Sequence, residues 1–588
     1  MIGRFSPFVW GPALLVVAAP FLLGTYGVTL MNDVGMAALA ALGLVLLTGV
    51  GGLSSFGQAA FVGIGAYASA WMTTAAGFSP WLGLVAAAVL SALVALGLGA
   101  ATLRLSGHLL PLSTIAWGLA IYFLFGNLEV LGRHTGLTGI PPVSLGGFAL
   151  TSPRAAYWLV WGMLGLALLA ASNLLRSRQG RAIRALRGGT ALAESLGIDS
   201  FRLRLAVFTI AAVCAGFSGW LYAHVERVVA PSAFDIGAGM EYLFMAMLGG
   251  TGQIGGAVLG AAAITFGRDA LRDLLAPFGP LAGQAETVVF AVLFIIVLQT
   301  ARGGLIPAIR RRLARRVPPL PPEAPPLARR PRPEPGRELL AAEGLARHFG
   351  GLAAVAGVDF TLRAGEILGL IGPNGAGKTT LFNLLSGALR PSAGRVRLLG
   401  RDITGLPARR VAALGLARTF QHVRLRPTLS LLENVMLGAH LRGRAGLLRG
   451  ALGLDRAEER ALAAEAMRQL RRVGLAAAPW ERAGNLPLGR QRVLEVARAL
   501  AADPLLVVLD EPAAGLRRPE KQALATLLRA LRAEGVTILL VEHDMEFVMG
   551  LVDRLVVMEF GRKIAEGSPA EIRADARVQA AYLGSSAA

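Results

Sequence analysis

Lysine is nearly absent from this chain. Three lysines, Lys378, Lys521 and Lys563, stand among 58 basic residues in a total of 588. Charge of any kind is scarce, at 16% of residues, and Asp and Glu together number only 37. There is one cysteine, Cys214. A single thiol excludes an intrachain disulfide, and Cys214 lies in an apolar stretch, where it reads as a small buried hydrophobe. What is present is apolar: hydrophobic residues make up 54% of the chain, and mean hydropathy is +0.57. That balance excludes an ordinary soluble protein of this length and puts much of the chain in lipid. A formal net charge of +21 would suggest nucleic acid in a soluble protein. Here the arginines cluster at 176–204 and 302–337, beside apolar spans. Basic residues that flank membrane helices on the cytoplasmic side account for them, so membrane lipid is the expected partner and nucleic acid is not.

Arg4 precedes a long apolar run with no small-residue cleavage site, which reads as a first membrane helix and not a removed signal peptide. Candidate spans cover 8–30, 33–50, 56–76, 82–103, 112–131, 156–173, 205–225, 237–250, 253–267 and 283–300, about ten in all by the length needed to cross hydrocarbon. The segments 237–250 and 253–267 are short and joined by Gly249-Gly-Thr-Gly252, as in a broken or re-entrant pair. The loop 174–204 carries Arg176, Arg178, Arg181, Arg184, Arg187, Arg202 and Arg204 and is expected in the cytoplasm. Counting spans in both directions then places Arg4 and the 301–337 segment on the same side. Residues 306–337 are rich in Pro and Arg and read as an extended cytoplasmic linker. From 338 to 588, strand-like and helix-like runs alternate as in an α/β domain, interrupted by a helix-rich stretch at about 430–485. The expected organisation is therefore a polytopic α-helical membrane domain at 1–305, a linker at 306–337 and an α/β domain with a helical subdomain at 338–588.

Within the last part, Gly372-Pro373-Asn374-Gly375-Ala376-Gly377-Lys378-Thr379 fits G-x-x-x-x-G-K-[ST], with Thr380 following. An apolar run, Glu366 to Ile371, precedes it and reads as a buried strand; Thr380 to Ser386 reads as a helix. In that setting backbone N–H groups and the helix N-terminus converge on nucleotide phosphates. A lysine retained in so arginine-biased a chain points to a need for a compact ammonium at Lys378. Downstream, Leu505-Leu-Val-Val-Leu ends in Asp510-Glu511. Asp510 can hold Mg²⁺ with the Thr379 hydroxyl, and Glu511 is placed to activate the water that attacks the γ-phosphate of ATP. Thr537-Ile-Leu-Leu-Val ends in Glu542-His543-Asp544, and His543 is a candidate contact for the γ-phosphate.

Taken in order and spacing, Gly372–Thr380, Gln421 in Arg418-Thr-Phe-Gln421, Asp510-Glu511-Pro512 and His543 resemble ABC-type ATPases. Finer stretches resemble the ATPases of branched-chain amino-acid importers, the Liv family: Phe349-Gly-Gly-Leu352, Arg418 to Arg424, Asp510 to Leu516, Glu542 to Met545 and Ala581-Tyr-Leu-Gly584. The resemblance covers essentially 338–584. It implies that Phe349 stacks on adenine, that Gln421 senses metal and γ-phosphate, and that ATP and Mg²⁺ bind here. Two positions depart from the ABC pattern. The signature region reads Leu486-Pro487-Leu488-Gly489-Arg490 and lacks the serine hydroxyl that would reach a partner's γ-phosphate. A helix N-terminus can still present N–H groups there, with Pro487 at its first position and Arg490 as a source of charge. Arg517 stands where the family usually carries Asn or Asp.

The membrane half is similar to the permease of the same importers at Gly52 to Gln58, Gly63 to Tyr67, Arg104 to His108, Gly136 to Gly139, Ser177 to Ala182 and Met247 to Gly252. Within the basic loop, Ala191-Leu-Ala193-Glu194-Ser-Leu196-Gly197-Ile198 reads as a short helix closed by Gly197. The resemblance makes it the coupling helix that docks on an ATPase subunit. Glu241, Asp269 and Glu286 are ionisable residues in apolar segments, where a transport pathway is the usual reason for them. The implied whole is a permease–ATPase fusion subunit of an importer in a bacterial inner membrane, with its ATPase in the cytoplasm. Expected partners are a second permease, a second ABC ATPase and an external solute-binding protein, with a small hydrophobic amino acid as substrate. Urea, short amides or aromatic acids use similar machinery. An exporter half-transporter and a catalytically weak regulatory subunit are the rival readings.

Overall fold

The computed structural model describes residues 7–104, 109–277, 303–311 and 319–583, together with 288, 289, 291, 292, 295, 296, 299 and 300. The chain divides into two compact units. One comprises Met1–Leu174 with Phe201–Arg316, the other Leu175–Ser200 with Val317–Ala588.

The first unit is helical. Six of its helices are long and apolar enough to cross a membrane: Thr25–Val50, Pro80–Thr102, Leu109–Asn127, Pro153–Arg176, Ser200–Glu226 and Ile254–Leu275. The first of them ends in π-helical turns at Val45–Val50. Pro7–Leu22, Gln58–Thr74 and Ile236–Gly250 are shorter helices. Local chemistry sets several of the starts. Ser79 accepts a hydrogen bond from the Trp81 N–H just before Pro80, and the Asp235 carboxylate accepts from the Ala238 N–H at 2.8 Å. Nine of the ten expected spans fall on helices. The tenth, 283–300, lies largely outside the described residues, as do Arg4, Glu286, Arg302, Gly584 and residues 105–108.

Two boundaries differ from expectation. The break between the first two helices comes at Leu23–Gly24 and not near residue 31, because Gly24 adopts an extended backbone and caps Thr25. The segment expected at 253–267 runs on to Leu275 and has 22 residues, so it is not short. Its polar last turns, with Arg268, Asp269, Arg272 and Asp273, had hidden its length. Glu241 and Asp269 do have partners. Arg268 pairs with Glu241 at 2.9 Å, and the Tyr26 hydroxyl donates to Asp269.

In the second unit, a six-stranded sheet runs in the order Leu416–Arg418, Leu506–Asp510, Thr537–Val541, Ile367–Ile371, Arg554–Glu559, Arg562–Gly567. All neighbours are parallel except the last pair. Three central strands are buried along their full length, which explains their unbroken Val, Ile and Leu runs. A four-stranded antiparallel sheet, Leu352–Arg363, Glu338–Phe349, Ala393–Leu398 and Arg401–Asp402, packs its apolar face into the same core. A helical lobe has its own core of Leu431, Val435, Leu462, Leu470 and Leu494 among others. Its helix Leu431–Gly438 opens with a capping box between Ser430 and Glu433.

The expected linker is not uniformly extended. Leu305–Arg311 is helical. Arg332 pairs with Asp503 at 2.8 Å, Arg330 donates to the Ala413 carbonyl at 2.9 Å, and Leu327 packs on the helical lobe. Residues 324–337 are thus bound along the second unit.

Candidate functional site

The strand Ile367–Ile371 delivers the chain into the loop 372–377 and the helix Lys378–Leu385. Gly377 caps that helix at φ 93, and a Cβ there would stand 2.2 Å from the Ala354 carbonyl oxygen. Only glycine fits, so the loop closes against the neighbouring strand and leaves its N–H groups unblocked by side chains. Asn374, Gly375 and Thr379 are exposed, Ala376 is buried, and Pro373 and Thr380 are half-buried. The Lys378 ammonium donates to the Gly372 and Pro373 carbonyls at 2.6 and 2.9 Å. Burial pushes its pKa down, against the opposing pull of Glu511 and Asp510.

Parallel pairing of Leu506–Asp510 with Thr537–Val541 brings two strand ends side by side, Asp510 opposite Val541. Asp510 is buried, and its Oδ1 has no hydrogen-bond partner among the described residues. Desolvation first, and then the charge of Glu511, raise its pKa to about 6. A buried carboxylate oxygen left without a donor, next in sequence to a second carboxylate, suits a hard divalent cation.

Glu511 has φ 48, a left-handed backbone rare outside glycine. Two bonds hold it there. Its N–H donates to the Val541 carbonyl at 2.8 Å, and its own carbonyl accepts from Arg492 at 2.6 Å. The carboxylate is thereby turned towards two other residues. Gln421 Nε2 donates to Glu511 Oε1 at 3.3 Å, and His543 Nδ1 lies 3.8 Å from the same oxygen. Glu542 is buried beneath, with its pKa raised by desolvation, and accepts from the N–H groups of Ala513 and His543. The structure therefore gathers Lys378, Gln421, Asp510 with Glu511, and His543 from four separate segments. Arg492, Glu542 and Thr419, whose Oγ1 accepts from the Asp510 N–H at 3.2 Å, support them. Sequence reasoning missed these three, since each acts through backbone atoms and belongs to no loop pattern.

Phe349 is the last residue of its strand and is 44% exposed, so it is not a core ring. Its face carries the Arg347 guanidinium at 4.8 Å. The region Leu486–Arg490 lies apart in the chain order at the start of the helix Leu488–Leu500. Pro487 is its N-cap, one residue before the position expected, and supplies no side-chain bond. Gly489 is buried; a Cβ there would stand 2.8 Å from Leu516. Arg490 and Arg517 are exposed, and the Arg517 N–H donates to Glu520 at 2.9 Å.

The basic loop 175–200 belongs to this same unit. Its helix Arg178–Leu186 inserts two buried arginines. Arg178 donates to the carbonyls of His440 and Ala445 at 2.6 and 2.7 Å, and Arg181 grips Glu459 with two bonds at 2.6 and 3.0 Å. Next comes Thr190–Ser195, with Ala193 buried and Leu196 as its C-cap. Gly197 follows at φ 79, as a helix-closing glycine should, and packs on Leu441. Glu194 and Asp199 pair with Arg409 at 3.5 and 3.4 Å.

Comparison with known families matches residues 27–298 to the permease component of the branched-chain amino acid transport system. Residues 355–514 match the ABC transporter family, and 562–588 the branched-chain amino acid ATP-binding cassette transporter C-terminal region. The ATPase half is similar to the high-affinity branched-chain amino acid transport ATP-binding protein LivG of Salmonella typhimurium, 46% identical over 42% of this chain and 98% of that protein. The LivG protein of Escherichia coli K12 is 44% identical over the same shares. BraF of Pseudomonas aeruginosa, of the same printed description, is 42% identical over 42% of this chain and 98% of its own length. An ATPase of ABC type thus follows a permease domain in one polypeptide, and the chain belongs to the branched-chain amino-acid ABC transporter family.

Proposed function

We propose that this chain is the permease–ATPase fusion subunit of an importer that uses ATP hydrolysis to take up branched-chain or related hydrophobic amino acids across a bacterial inner membrane. Residues 1–305 form the permease, with about ten spans by the length rule, 306–337 the connection and 338–588 the cytoplasmic ATPase. A second permease, a second ABC ATPase and an external solute-binding protein complete the machine.

The observation that carries the reading is the cluster in which Gln421 and His543 both address the carboxylate of Glu511 beside the unpartnered oxygen of Asp510. In this reading the loop 372–377 and Lys378 hold the phosphates of ATP, and Phe349 offers its exposed face to adenine. Asp510, Thr379 and Gln421 hold Mg²⁺, which when bound neutralises phosphate charge. Glu511 takes the proton of the attacking water, and Gln421 and His543 orient that water. Leu486, Gly489 and Arg490 face the nucleotide of the opposing ATPase, whose phosphates meet N–H groups and the Arg490 charge in place of a hydroxyl. Ala193, Glu194, Leu196 and Gly197 form the coupling helix, and Arg178 and Arg181 add a second grip through Glu458 and Glu459.

The test is transport by the complete complex in proteoliposomes supplied with the binding protein. Leucine uptake that needs ATP and Mg²⁺ is the expected result. ATP-driven uptake confined to urea, short amides or aromatic acids, or net export, overturns it.

A further inference from the structure

Three helices of the first unit meet at one level. Gly43 lies against the Ala211 carbonyl and the Ser218 hydroxyl donates to the Met36 carbonyl at 2.8 Å, so helix Thr25–Leu44 runs antiparallel to helix Ser200–Glu226. That pairing sets Asp33 level with Tyr222, with Glu226 about one turn further along the same face. Gly65 lies against Gly216, and Ser69 bonds His224 at 2.7 Å, so helix Gln58–Thr74 runs parallel to the same partner and brings Tyr67 to that level. The Tyr67 ring sits 4.6 Å from Phe125 and 6.2 Å from Phe234, and Tyr222 sits 5.6 Å from Phe234. Asp33 and Glu226 lie within electrostatic range of each other, and Asp33 of Tyr222 and Tyr242.

Two features of this cluster are unexplained by packing. Asp33 and Glu226 have no ion-pair partner among the described residues; the neighbouring Arg227 instead donates to the Ile140 carbonyl at 3.2 Å, and His224 is taken by Ser69 and the Pro141 carbonyl. The Tyr67 hydroxyl, in a residue only 2% exposed, has no hydrogen-bond partner among the described residues. Asp33, half-buried within the apolar helix bundle, is a costly carboxylate to leave uncompensated, Glu226 stands exposed at the end of its helix, and a buried hydroxyl without a partner adds to the cost. A cation that comes and goes would remove both penalties, with the aromatic faces favouring it further.

We propose that Asp33, Glu226, Tyr67 and Tyr222 form a binding site for the α-ammonium group of an amino acid, with Phe125 and Phe234 against its apolar side chain. The inference rests on the import reading and sharpens it, since urea, neutral amides and aromatic acids lacking an amine carry no such cation. The position fits entry from outside. The arginine-rich loop begins the 27-residue helix Ser200–Glu226, so Glu226 stands at its far end, about 40 Å away along the axis.

The experiment is initial-rate uptake of L-leucine by the complete complex with its binding protein in proteoliposomes, for wild type, Asp33→Asn, Glu226→Gln and Tyr67→Phe. Nucleotide binding by each purified complex reports on folding. Loss of one charge-assisted bond to the ammonium should raise the KM for Asp33→Asn by about tenfold to a hundredfold, and Tyr67→Phe by less. In wild type, 3-methylbutylamine should inhibit leucine uptake, and 4-methylpentanoate, which lacks the ammonium, should not. Wild-type KM in both Asp33→Asn and Tyr67→Phe, or equal inhibition by the two analogues, overturns the site. Should Asp33→Asn fail to fold, the Tyr67→Phe and analogue results decide. A wild-type complex that imports no amino acid at all contradicts the import reading instead, so the two failures are told apart.

Discussion

The loop at Gly372–Thr380 and the region at Leu486–Arg490, both assigned to nucleotide phosphates in the proposed reading, are built differently. Around the first, charge is held inside: a half-buried Lys378, a buried Asp510, and Glu511 fixed in a strained backbone by bonds to both its N–H and its carbonyl. Around the second, the capping residue is Pro487, Leu488 is 54% exposed, and Arg490 is in solvent. A preorganised charge costs no rearrangement when phosphate arrives, whereas an exposed arginine must be ordered first. On the proposed reading, the difference means that this subunit brings a fully equipped half-site of its own and a weaker half-site to its partner.

The largest effect should come from Glu511→Gln. Removal of the general base should lower ATP turnover by about 10² to 10⁴ while nucleotide binding persists. Turnover near wild type would break the comparison at once, because the equipped side would then lack its chemistry. Next comes pH. Burial and the Glu511 charge raise Asp510 to about 6 from 3.8, so below about pH 6 it carries a proton and cannot hold a cation. Apparent Mg²⁺ affinity should fall about tenfold per pH unit below that point, and Asp510→Asn should erase this dependence. The sign for stability is opposite: between 3.8 and about 6 the nucleotide-free fold binds a proton that the unfolded chain does not. The ATPase unit should therefore lose stability as pH rises through that window, measurable by calorimetry. A smaller effect belongs to the loop 175–200. Glu459→Gln should lower uptake about threefold to tenfold by weakening the buried bidentate pair with Arg181, with hydrogen exchange at 178–186 rising in parallel. The smallest belongs to Pro487→Ser, where a restored hydroxyl should change turnover by no more than about fivefold if Arg490 and the backbone already serve.

Much of the equipped site was legible because its chemistry is local. Gly377 and Lys378 are fixed by a strand, a turn and a helix that adjoin in sequence. Asp510, Glu511 and His543 sit at the ends of apolar runs that could only be buried parallel strands. What was not legible lies in long-range pairing. Arg178 and Arg181 read as solvated loop charges until their partners appear more than 250 residues away at His440 and Glu459, both in the helical lobe. Arg330 and Arg332 read as part of a free spacer, yet Ala413 and Asp503 bind them. In the membrane half, ionisable residues in the most apolar stretches drew attention to Glu241 and Asp269. Helix register, which no single segment carries, instead sets Asp33 beside Tyr222.

The most direct test of the asymmetry is to compare Lys378→Ala with Pro487→Ala in the same purified complex at saturating ATP. Loss of charge-assisted bonds from Lys378 to phosphate should cost one to two decades in turnover, about 1.5–3 kcal/mol per bond. Pro487→Ala removes no phosphate ligand and should leave turnover within about threefold. Equal losses from the two substitutions would contradict the account and make the two regions equivalent partners in hydrolysis.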